Sequence, residues 1–232
     1  MAAVGLLCGS CTPRRSVAAL ADLRDEDLLS SWRQGSAEAG EVLFERHYEA
    51  VRRYFRNKVP AGPARDLVQE TFLACLEACE RFRRHSSFRT YLLGIAHHVM
   101  VDYLRATSRV RHKLEIGELI LADLHLAGED MITAKRQRRA LLRALRSLRF
   151  PLQVVLELRY WESMSDPEIA EVLDEPLGTI KTRLRAGRLA LEAQLTQRSW
   201  SDEELRTTLD SLQRWASRVR QVALPIAVRE EC

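Results

Sequence analysis

The sequence predicts an all-α protein: two small helical domains joined by an acidic linker, followed by a C-terminal helical extension. Three observations carry this. Apolar residues recur every three or four positions almost throughout, and runs that alternate with period two are nearly absent. Strong breakers, Pro60-Ala-Gly-Pro63 and Asp174-Glu175-Pro176, punctuate the helical pattern. Charge falls in blocks: residues 39–107 carry 11 cations and 8 acids, residues 114–130 five acids and no cation, and residues 131–198 13 cations and 8 acids. Two basic blocks about an acidic bridge suit a polyanionic partner.

The bulk numbers bound the rest. A chain of 232 residues with 46% hydrophobic content holds one large or two small domains with real cores. No apolar run approaches the ~18 residues of a membrane span. The start, MAAVGLLCGSCTPRRS, lacks the cationic flank that precedes a signal peptide, so a cytoplasmic protein is expected. Five cysteines, an odd number, point to reduced thiols. Cys8 and Cys11 form a C-x-x-C with no second ligand pair after it, and Cys75 and Cys79 read as small buried hydrophobes. His97, His98 and His112 have no carboxylate or thiol cluster beside them, so neither a metal nor any other cofactor is expected. With no Gly-rich phosphate loop, no nucleophile elbow and no paired buried carboxylates, the chain does not read as an enzyme.

Taken in order, a first helix opens at Asp22 or Asp25 and stops at Gly35. Ser36 caps a longer second helix with Phe44, His47, Val51, Tyr54 and Phe55 along one face. After the Pro60–Pro63 break, a third helix repeats Val68, Phe72, Cys75, Cys79 and Phe82 at spacings of 4, 3, 4 and 3, an apolar stripe for a core. Its other face carries Asp66, Gln69, Glu70 and Glu77. A polar corner leads to a fourth helix, from Phe88 to about Arg105, with two stripes. Leu92, Ile95 and Val99 point one way, and Tyr91, His98, Asp102 and Arg105 another. Residues 106–130 lose periodicity. A helix from about Ile132 to Arg149 then turns Leu141, Leu142, Leu145 and Leu148 inward, and Pro151 starts another that ends near Tyr160 or Trp161.

The stretch SDPEIAEVLDEPLGTIKTRLRAGR, Ser165 to Arg188, is the most informative. Ser165 and Glu168 form an S-x-x-E capping box, and Pro167 sits in the first turn, where its missing N–H costs nothing. Pro176 pushes Glu175 out of the α region and ends the helix. On the next helix Ile180, Leu184, Leu191 and Leu195 face inward, while Lys181, Thr182 and Arg185 point away and Arg183 and Arg188 flank them. Two short helices at an angle, the second armed with outward cations, suit the major groove of DNA.

Three further stretches extend this. DLVQETFLACLEACERF (66–82) and FRTYLLGIAHHVMVDYLR (88–105) resemble the region-two helices of bacterial RNA polymerase sigma factors of the extracytoplasmic-function type. Residues 145–191 resemble that family's region four. The resemblance implies a factor that binds core RNA polymerase, recognises −35 duplex and melts the −10 element of promoter DNA. It implies core polymerase contact, on the clamp helices, through Asp66, Gln69, Glu70 and Thr71, with region four on the flap. It implies −10 melting and reading by Arg83, Arg84, His85, Ser86, Ser87, Phe88, Arg89, Tyr91, His98 and Asp102. Contact with the −35 element is implied for Thr179, Lys181, Thr182, Arg183, Arg185 and Arg188. An anti-sigma factor is a further partner that many family members have. The chain departs from the family where Tyr91 replaces the usual Trp, where His98 replaces the usual Asn, and where Leu173-Asp174 replaces the Leu-Gly corner. Asp tolerates the left-handed conformation that this corner needs. A stand-alone helix-turn-helix repressor or activator is the alternative, and it leaves the helices of 66–105 unexplained.

The expected organisation is a flexible N-terminus over 1–20, region two over 21–107, the linker over 108–131, region four over 132–196 and the extension over 197–232. In the extension Ser201 caps a stripe of Leu205, Leu209, Leu212, Trp215, Val219 and Val222. It reads either as a helix packed on the protein's own domains or as a regulatory tail.

Overall fold

The computed structural model describes residues 17–78, 86–111 and 141–196. Among these every regular element is a helix. The chain divides between Tyr48 and Glu49 into two compact units, so the division falls inside a continuous helix.

The first unit contains α1 (Val17–Ala21), α2 (Asp25–Arg33) and the start of α3 (Ala37–Arg56). Helix α2 begins at Asp25, one of the two expected openings, and its N-cap residue, Arg24, makes no side-chain capping bond. Asp25 instead accepts from Arg46 at 2.6 Å and pairs with His47 at 2.7 Å, which ties the start of α2 to α3. Gly35, at φ +99°, ends α2 as anticipated. The Ser36 hydroxyl then accepts the Ala39 amide at 3.3 Å, the expected cap of α3. Trp32 meets Phe44 edge-on, with centroids 5.1 Å apart.

The second unit begins with the rest of α3, whose Val51, Tyr54 and Phe55 are buried. Helix α4 (Ala61–Ala78) starts earlier than its prolines suggested, because Pro63 lies in the first turn, where no backbone bond is lost. Leu67, Val68, Thr71 and Cys75 are its buried positions. Helix α5 (Phe88–Arg111) packs against α4 and buries Leu92, Leu93 and Ala96. Residues 141–146 form α6 and bury Leu141, Leu142 and Leu145, and the helix stops before Arg149, which caps the next. Helices α7 (Phe150–Tyr160), α8 (Asp166–Leu173) and α9 (Leu177–Thr196) pack on one another. Gly187 lets α9 approach α7: a Cβ there would lie 3.1 Å from Leu156 Cγ and 3.4 Å from the Leu152 carbonyl. Helix α8 also packs directly on α5. The C-terminal extension, Cys8, Cys11, Cys79, Phe82, His112 and the acidic bridge of 114–130 lie outside the described residues.

Candidate nucleic-acid interface

The corner between α8 and α9 is built as the residues require. The Ser165 hydroxyl accepts the Glu168 amide at 3.4 Å, and the Glu168 carboxylate accepts the Ser165 amide at 2.7 Å and its hydroxyl at 2.6 Å. The Ser165 hydroxyl and then its amide lower the Glu168 pKa below the usual carboxylate value. Asp174 takes φ 51° and ψ 47°, the left-handed cap expected where the family has glycine. The Glu175 amide then donates back to the Ala170 carbonyl at 3.0 Å. Pro176 accepts from Thr179 and Ile180 and starts α9 at once.

Helix α9 buries Ile180, Leu184, Gly187, Leu191 and Leu195. Lys181, Thr182, Arg185 and Arg188 are exposed, and Thr179 and Arg183 are half-buried. The cations are not equivalent. Arg183 is held by Glu175 at 2.9 Å, and the Arg188 guanidinium lies 5.7 Å from the Tyr160 ring centre. Lys181 and Arg185 have no hydrogen-bond or ion-pair partner among the described residues. The Thr182 hydroxyl is turned back onto the Gly178 carbonyl at 2.9 Å. A backbone corner fixed at both ends thus presents two unneutralised cations on one exposed face.

The residues expected on the −10 face are placed unevenly. Arg83, Arg84 and His85 lie outside the described residues. Ser86 is half-buried; Ser87 caps α5 by accepting the Thr90 amide at 3.1 Å. Phe88 is buried in the core and offers no open wall to a base, a correction to the reading of the sequence. Tyr91 is half-buried and spends its hydroxyl on the Ala78 carbonyl at 3.1 Å. His98 and Asp102 are exposed, with Asp102 accepting from Arg105 at 3.2 Å. Arg89 donates to the carboxylate of Glu162 and, at 2.9 Å, to its carbonyl.

On α4, Asp66, Gln69 and Glu70 are exposed together with Glu77. Thr71 is not: it is fully buried and its hydroxyl donates to the Leu67 carbonyl at 2.7 Å, so it drops out of this face. Leu73 and Leu76, exposed by 60% and 46%, complete the stripe instead. A reading that assigns leucines to the core passes over them, although their spacing of three and four from Gln69, Glu70 and Leu73 places them on that face.

A buried polar seam between residues 49–111 and 141–196 has no local signature in the chain. Lys58 and Glu157, both buried, form an ion pair, and Gln153 donates to Glu157 at 2.9 Å. Glu162, also buried, takes a two-pronged bond from Arg53 at 2.9 and 3.1 Å besides that from Arg89. Burial works to raise the Glu162 pKa, but Arg53 and Arg89 outweigh it and hold the carboxyl below its ordinary value. Burial pushes Glu157 upward, against Lys58, Gln153 and Arg146. These partners stand 99, 109 and 73 positions apart along the chain, beyond any local pattern.

Comparison with known proteins agrees with this geometry. Residues 43–110 match Sigma-70 region 2, and residues 138–191 match Sigma-70 region 4. The chain is 31% identical over 159 residues to the RNA polymerase sigma factor YlaC of Bacillus subtilis, covering 68% of this chain and 92% of that one. It is 28% identical over 178 residues to the ECF RNA polymerase sigma-E factor of Escherichia coli K12, covering 73% and 93%. Among solved structures, CnrH in complex with the cytosolic domain of CnrY matches with a TM-score of 0.57 at 25% identity, over 75% of this chain and 99% of that chain. The sigma factor RpoE of Bartonella quintana, solved with the anti-sigma factor NepR, shares the fold with a TM-score of 0.55 at 19% identity, over 66% and 94%. Among the described residues no helix is long and apolar enough to cross a membrane. A solitary helix-turn-helix regulator would leave the whole region 2 match unused. The chain belongs to the RNA polymerase sigma factors of the extracytoplasmic-function (ECF) group, and its work is to direct core RNA polymerase to initiate transcription at particular promoters.

Proposed function

We propose that α9 reads the −35 duplex through Lys181 and Arg185, with Thr179, Thr182, Arg183 and Arg188 supporting it. The single observation that carries this is the rigid corner at Asp174, which points two unpaired cations off a face whose opposite side is core. Arg suits a guanine edge and Lys a guanine edge or a phosphate. Helix α5 and the corner before it work on the −10 element, with exposed His98 and Asp102 nearest a single strand. An unstacked base needs a polar pocket that returns the few kcal/mol lost on unpairing. The domain limits expected from the sequence, 21–107 and 132–196, serve these two tasks.

The stripe of Asp66, Gln69, Glu70, Leu73, Leu76 and Glu77 on α4 docks on core polymerase: two exposed leucines amid acids form an apolar centre with a charged rim. The protein acts in the cytoplasm, where polymerase and promoter are, and makes no covalent bond itself. An anti-sigma factor is a fitting regulator, since the sigma factor RpoE, which shares the fold, was solved with one.

Run-off transcription with purified core polymerase on a promoter library tests this. Arg185→Ala should cut initiation at the preferred promoter by on the order of tenfold or more, as expected for one lost base contact, and relax selection at one −35 position. Unchanged activity and unchanged −35 preference would remove Arg185 from the interface. Leu73→Asp should weaken polymerase binding while leaving the isolated chain's stability nearly unchanged, because the side chain is already exposed.

A further inference from the structure

Helix α9 keeps one apolar side in solvent. Leu189 is 58% exposed, and Ala186, three positions before it, and Ala193, four after it, are exposed as well. At about 100° per residue these three point away from the buried Ile180, Leu184 and Leu191, so they form the outer face of the helix, opposite its core. Thr182 and Thr196 bound this face. Each turns its hydroxyl back onto its own helix, Thr182 to the Gly178 carbonyl at 2.9 Å and Thr196 to the Glu192 carbonyl at 3.0 Å. From Thr182 to Thr196 the spacing is 4, 3, 4 and 3, the repeat of a seam between two helices.

The chain carries a matching partner for this face in the 36 residues that follow Thr196. Their sequence predicts a helix start: Ser201 and Glu204 make a second S-x-x-E box, and Trp200 and Leu205 stand at the two positions that staple a helix entry. Leu205, Leu209 and Leu212 then recur at 4 and 3, the spacing of Ala193, Leu189 and Ala186 read backwards. The link 197–201 has five residues, a length that folds one helix back antiparallel on the one before it. Such a hairpin pairs residues that stand equally far from its middle. About Ser199, the middle of this link, Leu205 meets Ala193, Leu209 meets Leu189 and Leu212 meets Ala186. Both stripes thus fall into register without adjustment, with leucine against alanine at two of the three levels.

We propose that residues 202–222 dock as an antiparallel helix on the Ala186, Leu189 and Ala193 face of α9, and that the docked tail and the −35 duplex exclude each other. The exclusion rests on the reading of α9 as the −35 helix; the docking does not. The same register brings Trp215 and Val219 level with residues 183 and 179, alongside Lys181 and Arg185. The major groove is about 12 Å wide and admits one helix, so α9 cannot enter it with a second helix on its outer face. A short link holds the tail at an effective concentration on the order of millimolar, and a contact too weak to form between separate molecules is populated here. A tail docked about nine-tenths of the time lowers the apparent affinity for DNA about tenfold.

The test has two arms on the full chain. In the first, Cys8, Cys11, Cys79 and Cys232 are changed to Ser, the buried Cys75 is kept, and Leu189→Cys is combined with Leu209→Cys. The control combines Leu189→Cys with Asp210→Cys, a position that the register turns away from α9. Under mild oxidation the first pair should bridge within one chain at least about tenfold faster than the control, because only its Cβ atoms come within bonding reach. Equal rates, or bridges formed only between two chains, would overturn the docking. In the second arm, Leu209→Asp with Leu212→Asp is compared with wild type in run-off transcription with core polymerase. On a promoter with the preferred −35 bases, half-maximal transcription should come at a chain concentration about tenfold lower, and on one with scrambled −35 bases the gain should vanish. The same concentration dependence in both chains would show that the tail does not shield α9 and would overturn the exclusion. A wild-type chain indifferent to the −35 bases would remove the reading of α9 and the exclusion with it, while the bridging rates would still decide the docking.

Discussion

At the scale of single residues, His97 shows how burial sets a protonation state. Its Nδ1 lies 2.8 Å from the Tyr54 hydroxyl, whose pKa burial, followed by Glu157, pushes well above the ordinary value. The hydroxyl therefore stays protonated, and the bond joins it to a ring that the surroundings keep neutral. Burial first, then His98, Lys58 and Arg183, lower the His97 pKa from 6.5 to about 4, against Glu175. A depressed histidine stabilises the folded chain fully above its unfolded pKa, and that contribution drains away as the pH falls from about 6.5 towards 4. Allowing for partial exposure of the ring, the loss amounts to ~2 kcal/mol. Denaturant unfolding at pH 7, 5.5 and 4 should show this slope in wild type and a flatter one in His97→Phe. Parallel slopes would place the acid sensitivity elsewhere, with Glu162 the next candidate. None of this was legible beforehand: His97 read as half of an adjacent histidine pair, because burial depends on Phe150 and Tyr54, each more than forty positions away.

At the scale of elements, local rules were sufficient wherever neighbours in sequence do the bonding. The capping box, the proline in the first turn of α8 and the left-handed Asp174 all follow from contacts within nine residues. Ser165→Ala should therefore cost about 1 kcal/mol, read as a lower melting temperature and weaker −35 binding, since the corner that aims α9 loosens. A melting temperature equal to wild type would mean that the box contributes nothing to the fold. Gly187 is a different case. Its neighbours on α9 say nothing about Leu156, yet a methyl there meets Leu156 at 3.1 and 3.2 Å and a carbonyl at 3.4 Å. Gly187→Ala gains helix propensity but overpacks, and a net loss of ~1 kcal/mol in chemical denaturation is expected. A gain in stability would show that Leu156 yields freely. The α4 stripe was half legible: its acids stood out, but Leu73 and Leu76 were hidden by the habit of leucine, and Thr71 was drawn into the core by its bond to Leu67.

At the scale of the whole molecule, the buried carboxylates of Glu157 and Glu162 tie residues 141–196 to Lys58, Arg53 and Arg89. Removing one partner of a buried pair leaves the other uncompensated, a loss of about 3–5 kcal/mol. Lys58→Met should lower stability by that order in chemical denaturation, and Lys58→Met with Glu157→Leu should recover most of it. Equal losses in the single and double variants would mean that this pair does not hold the helices together.

By itself the sequence determined the helical class, the caps and corners, the cations of α9 and, through the resemblance of residues 66–105 and 145–191, the family. These are set by period, by propensity and by partners a few residues apart, all of which a linear chain displays. Tertiary structure alone decided which of those groups are spent: Arg89 on Glu162, Arg183 on Glu175, Phe88 and Thr71 in the core. The reason is that a charge or a ring is used or left open according to what folding brings beside it, and for Arg89 that neighbour, Glu162, stands 73 positions away.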